Sequence, residues 1–127
     1  MLPSAHRLTD AESFRAAVRR GRRARADSLV VHLLVTEAEP ASTVPRAGFV
    51  VSKAVGNAVI RNRVQRRLRH LVREQLDSLP RSAALVVRAL PAAATATYAE
   101  LRTDLTRCLQ QVTAPGSGRR GREVSAS

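Results

Sequence analysis

The chain predicts a single mixed α+β domain, with a sheet of about four strands and about three helices. Three observations predict it. Apolar runs of strand length recur at Leu29–Val35, 46–52 and Ala83–Ala89, rich in valine. Around them stand segments whose apolar residues repeat every three to four positions and carry their own caps. At 127 residues, the chain suits one domain with one modest core.

The elements follow in order. Thr9-Asp10-Ala11-Glu12 reads as a capping box, with Phe14, Ala17 and Val18 on one apolar face and Gly21 as a stop, so a first helix is expected at about 10–20. Arg22-Arg23-Ala24-Arg25 is either a basic connection or a short edge strand. Leu29–Val35 and 46–52 are strands separated by a loop with two prolines, which suggests an antiparallel pair. Asn57 can cap a long helix to about residue 78, with Ile60, Val64, Leu68, Leu71, Val72, Leu76 and Leu79 on its apolar side. Because that helix lies between strands 46–52 and 83–89, those two can be parallel neighbours in a β-α-β unit. Thr97-Tyr98-Ala99-Glu100 is a second capping box, opening a helix through Leu101, Leu105, Cys108, Leu109 and Val112. The Gly-, Ser- and Arg-rich stretch 113–127 is expected to be disordered, leaving 1–112 as the folded domain. No internal repeat is present.

Charge is the strongest functional signal. The formal net charge is +12, and 21 of the 22 basic residues are arginine. Arginine makes forked contacts to phosphate and stacks on bases, which favours nucleic acid. Skewed codon usage would also favour arginine over lysine, but it does not explain the excess of positive charge. No acidic residue occurs between Pro40 and Glu74, while Lys53, Arg61, Arg63, Arg66, Arg67, Arg69 and Arg73 all fall there. On the long helix, Asn62, Arg63, Arg66, Arg69, His70 and Arg73 lie mainly opposite the apolar residues, with Arg61 and Arg67 at the boundary. The alternative to an RNA contact is a solvated charged face, but no glutamates are interleaved to neutralise this one. A nucleic-acid backbone supplies the missing counter-charge. About five neutralised phosphates would give a log–log salt slope near −4.

Other classes fit poorly. Cys108 is the one cysteine, so an internal disulfide is impossible, and it reads as a small core residue. No secretory signal or membrane-length apolar run occurs, and a soluble cytoplasmic protein is expected. The sequence holds no carboxylate cluster, nucleophile–base arrangement or metal-ligand spacing. A DNA-binding helix-turn-helix is disfavoured because strands, not a helix, precede the basic helix.

The run Arg46-Ala-Gly-Phe-Val-Val-Ser-Lys53, then Gly56-Asn57-Ala58-Val59, Arg61-Asn62-Arg63 and Arg66-Arg67-Leu68-Arg69, resembles the protein subunit of bacterial ribonuclease P. The signature covers about 46–74, and the order of elements matches over about 7–112. The resemblance implies an α/β sandwich like the second domain of ribosomal protein S5, with a mainly antiparallel sheet and a left-handed β-α-β crossover. General topology alone would predict a right-handed one. It also implies a protein without catalytic residues, in a ribonucleoprotein that removes the 5′ leader from precursor tRNA. The RNA subunit carries the chemistry and uses divalent metal ions, normally magnesium. The partners implied are that catalytic RNA and precursor tRNA, with no membrane and no obligate protein partner. The alternative is a structural, ribosomal-type RNA-binding protein with no part in cleavage.

The resemblance also implies site residues. Arg61, Asn62 and Arg63 would face the RNA near the cleavage centre with Lys53 and Asn57 nearby, and Arg66, Arg67, Arg69 and Arg73 would contact the catalytic RNA. Asn57 can equally be a plain N-cap, and Asn62 an exposed filler. Phe14, Val18, Leu29 and His32 match a groove for the single-stranded leader, where the family often has aromatics. Phe14 can instead be an ordinary core residue. His32 shares a face with Val30 and Leu34 and is either a core-edge histidine or a leader ligand. Arg22, Arg23 and Arg25 offer either further contacts or mere solubility. On this reading, Arg63→Ala with Arg66→Ala removes function at low magnesium and leaves the fold intact.

Overall fold

A computed structural model describes residues 11–35, 45–79 and 83–114. The described elements are α1 (Ala11–Arg20), β1 (Arg22–Arg25), β2 (Leu29–Val35), β3 (Arg46–Val50), α2 (Ala58–Gln75), β4 (Ala83–Ala89) and α3 (Tyr98–Thr113). Single 3₁₀ turns at Leu76–Ser78 and Pro91–Ala94 extend α2 and lead into α3. The first capping box and the expected disordered tail beyond Ala114 lie outside the described residues.

The four strands form one sheet in the order β1-β2-β4-β3. β1 pairs with β2 and β2 with β4, both antiparallel, whereas β3 runs parallel to β4. The β-α-β unit is therefore present, and Arg22–Arg25 is an edge strand. The expected pairing of strands 29–35 and 46–52 does not occur. β4 lies between them, pairing with β2 along seven residues from Leu29↔Ala89 to Val35↔Ala83. The physical reason lies in the connections. Only 26–28 separates β1 from β2, closed by the Ala26 amide donating to the Leu29 carbonyl at 2.8 Å. A short link makes that hairpin local. The longer stretch 36–45 imposes no such pairing, and β4, whose side chains are almost all buried, takes the centre.

The helices divide unequally between the two faces. α3 packs on β1 and β2, and α2 on β3 and α3. Between them and the sheet lies the main core, including Leu29, Leu68, Leu71, Leu85, Leu101 and Leu105, all fully buried. Cys108 belongs to this core. Burial, with Asp104 adding to it, pushes its thiol up to about 11. α1 lies across β2 and β4 and covers a small cluster of Ala17, Ala84 and Val86, flanked by Phe14, Leu34 and Val50. Gly21 ends α1, its amide donating to the Ala17 carbonyl at 3.0 Å. A Cβ there would stand 2.5 Å from the Ala17 oxygen and 2.7 Å from the Leu33 oxygen, so the close approach of helix end to sheet requires glycine. Among the described residues no helix is long and apolar enough to cross a membrane.

Candidate nucleic-acid interface

The basic helix α2 is built from its cap. Asn57 has an extended backbone, and its Oδ1 accepts from the Ile60 amide at 3.0 Å. Asn57 is therefore an N-cap, while its exposed position leaves it on the surface. Gly56 precedes it, and a Cβ there would press on the Ile60 side chain at 2.9 to 3.1 Å. The Arg61 Nε donates back to the Gly56 carbonyl at 3.1 Å, bracing the turn that carries Lys53, itself exposed. The first turn of α2 has no acidic residue, so its helix dipole is left to an anion.

The structure sorts the arginines of α2 into two kinds. Arg63 Nη2 donates to the Ala94 carbonyl at 3.2 Å, and Arg67 Nη1 to the Ala96 carbonyl at 3.3 Å. One helical turn apart, they fasten α2 to the segment leading into α3. Both are half-buried, and the Arg63 Nε finds no acceptor among the described residues. Arg66 and Arg73 are exposed, as is Asn62, and Arg69 is half-buried among them. At 100° per residue, Asn62, Arg66, Arg69 and Arg73 share an arc of about 60°. This is the outward stripe. Arg63 thus has a contact within the fold besides its place on the basic helix, so the stability of Arg63→Ala has to be measured beside its function.

The second set of expected residues is only partly brought together. Phe14 is half-buried beside Val86, and Val18 is 43% exposed, one turn further along α1. His32 lies on the same face of the sheet, opposite Val86 on β4 and Arg23 on β1. It is only 8% exposed, and its Nδ1 is buried without a partner among the described residues. Burial, with Arg23 and Arg88 nearby, holds its pKa below 6.5, so the imidazole is neutral at pH 7. Leu29 is the exception. It is 0% exposed and sits in the main core on the opposite face. Residues 29 and 32 differ by an odd number, and successive strand residues alternate faces, so they cannot line one groove.

Arg88 has no role in the sequence-based expectations. It is the exposed, charged position in the otherwise buried β4, and its parity with Val86 places it on the His32 face. Alternation along Ala83–Ala89 could have found it. Arg23, Arg25 and Arg88, all exposed, flank the buried Val30 and His32 on this face. Among the described residues no three His, Cys, Asp or Glu side chains gather in a way that could hold a metal ion.

The model of the Ribonuclease P family matches residues 2–113. A ribonuclease P protein component of a Nocardioides species is 64% identical over 119 residues, covering 93% of this chain and 100% of that protein. One from Streptomyces griseus is 52% identical over 122 residues, covering 92% and 99%. The fold matches a Staphylococcus aureus RNase P protein mutant with defective mRNA degradation activity, with TM-score 0.74 at 24% identity over 84% of this chain and 86% of that one. It also matches an RNase P protein from Thermotoga maritima, with TM-score 0.68 at 21% identity, covering 80% and 94%. With the Arg61-Asn62-Arg63 helix start, the uncompensated basic stripe and this match over nearly its whole length, the chain belongs to the ribonuclease P protein family.

Proposed function

We propose that this chain is the protein component of a bacterial ribonuclease P, acting in the cytoplasm on precursor tRNA. The observation that carries the reading is the outward stripe of α2 in a chain of this family. Arg66, Arg69 and Arg73 face one way, with no acidic residue between Pro40 and Glu74 to neutralise them. A phosphate backbone is the counter-charge that such a surface fits. The catalytic RNA binds there, with Arg61, Asn62, Lys53 and Asn57 at the end of the stripe nearest the helix start. Arg63 and Arg67 contribute by holding α2 rigid and through guanidinium donors not spent on Ala94 and Ala96.

The 5′ leader lies on the opposite side of the sheet, against Phe14, Val18 and His32, with Arg23 and Arg88 toward its phosphates. Leu29 supports this groove only from the far face. The RNA subunit carries the reaction and the divalent ions, normally magnesium, that the reaction uses; this chain orients the two RNAs. The crossover from β3 through α2 to β4 is left-handed, giving the sandwich of the second domain of ribosomal protein S5. Residues to about 112 form the domain, and the basic tail adds diffuse contacts. A ribosomal-type role apart from cleavage is not favoured in a member of this family.

The test is cleavage of precursor tRNA at low magnesium by the partner RNA alone, the protein alone and both together. The expected outcome is cleavage at the mature 5′ end in the combined sample only. No gain over RNA alone would defeat the proposal, and cleavage by the protein alone would move the chemistry into this chain.

A further inference from the structure

Beside the basic stripe stands a pair of rings that phosphate binding does not require. His70 on α2 and Tyr98 at the start of α3 have centroids 6.4 Å apart and planes tilted by 59°. Both are exposed, Tyr98 at 36%. The other large apolar side chains exposed among the described residues are Val18, Val35 and Val59, none with a π face. His70 follows Arg66 by four residues and precedes Arg73 by three, so on α2 it borders the stripe.

The backbone around Tyr98 is anchored on both sides. The Thr97 hydroxyl accepts from the Glu100 amide at 3.0 Å, and the Glu100 carboxylate accepts from the Thr97 amide at 2.9 Å. This box fixes the first turn of α3. Arg67 and Arg63, through Ala96 and Ala94, then fasten the preceding segment to α2. Four polar contacts thus fix the backbone that carries Tyr98 beside the basic helix, a cost in freedom met before any ligand arrives. Each ring can cover only one face of its neighbour, and the tilt makes an angled notch rather than a closed stack.

Resting on the reading of α2 as an RNA-binding surface, we infer that Tyr98 and His70 form a stacking site for an unpaired base of the bound RNA. The base lies against a ring while Arg66 and Arg73 hold the flanking phosphates. Any base has a π face, so the site selects single-stranded over paired RNA rather than one base over another. An interface with RNA uses unstacked bases on aromatic side chains in this way. The rival role is purely structural, in which the ring pair only joins α2 to α3.

The chain provides its own reporter, because Tyr98 is the only tyrosine and there is no tryptophan. Emission from the full chain would be followed as two probes are added at low salt: a single-stranded oligoadenylate and a blunt RNA duplex carrying the same number of phosphates. Binding of each would be measured independently by filter retention. Stacking predicts that the single strand quenches Tyr98 at saturation and the duplex does not. Tyr98→Leu, which keeps apolar bulk without a π face, should weaken single-strand binding about tenfold and leave duplex binding unchanged. Tyr98→Phe should bind both probes as the parent does. Unquenched emission at saturation, or equal effects of Tyr98→Leu on both probes, would overturn the stacking site. Should Tyr98→Leu fail to fold by circular dichroism, His70→Ala, expected to weaken single-strand binding severalfold, decides the same question. If the unaltered chain retained neither probe, the RNA-binding reading of α2 would fall, and the stacking site with it.

Discussion

Two helices cover one face of the sheet and, among the described residues, one helix covers the other. On the α2–α3 side, Leu29, Val31, Leu33, Leu85 and Val87 are at most 3% exposed under two helices. On the α1 side, one helix of ten residues covers Ala84 and Val86, and the rest of the face carries His32, Arg23, Arg25 and Arg88. The same strands supply both faces by simple alternation. The lesson is a division of labour. The larger apolar core lies under two helices, and the α1 face combines a small apolar cluster with His32, Arg23, Arg25 and Arg88. A histidine without a hydrogen-bond partner for Nδ1 is costly in a sealed core. The buried His32 Nδ1, without a partner among the described residues, carries such a cost on the α1 face.

Adjacent valines on β4 test that division most directly. Val87 points into the main core and Val86 toward α1. Val87→Ala should cost about 2–3 kcal/mol, and Val86→Ala roughly half as much, because a single helix can settle into the space left behind. Urea unfolding of the two variants gives the difference. Equal losses would mean that α1 packs as closely as the other two helices together.

The outer surface of the α2–α3 side offers a second contrast, between fastened and outward arginines. Arg66→Ala with Arg73→Ala should leave the melting temperature unchanged and reduce the magnitude of the log–log salt slope for RNA binding by about 1.5. Arg67→Ala should lower the melting temperature by releasing Ala96. A double variant that melted early would contradict the division of α2 into two kinds of arginine.

The smallest expected effect belongs to the α1 face. Burial, Arg23 and Arg88 hold the pKa of His32 below 6.5 in the folded protein. The unfolded chain therefore binds the proton more readily. Stability from this residue is constant above about pH 6.5, falls as pH drops toward the lowered value and then levels off. Melting temperatures from pH 7.5 to 5 should fall more for the parent chain than for His32→Gln. A parallel fall would mean that His32 is as easily charged folded as unfolded.

Much of this was legible in local pattern. The Thr97 capping box, the Asn57 cap, the apolar side of α2 and the core position of Cys108 follow from spacing over a few residues. The strand partner of Leu29–Val35 did not, because pairing is a contest among strands distant in the chain, and β4 wins it only once α2 and α3 have buried its inner face. Leu29 was legible too: strict alternation with His32 removes it from the groove, and a likeness between sequences obscured what parity required. The two kinds of arginine on α2 were not legible. A guanidinium reads the same whether its partner is a carbonyl thirty residues away or a phosphate.

The sequence by itself determined the elements, the family and the sign and location of the charge, since each depends on residue type at short spacing. Only the tertiary structure decided the order β1-β2-β4-β3, which arginines remain free to face an anion, and that Tyr98 stands beside His70. Those are relations between groups far apart in the chain, and the physical quantities that select them, burial and hydrogen-bond geometry, exist only after the layers have packed.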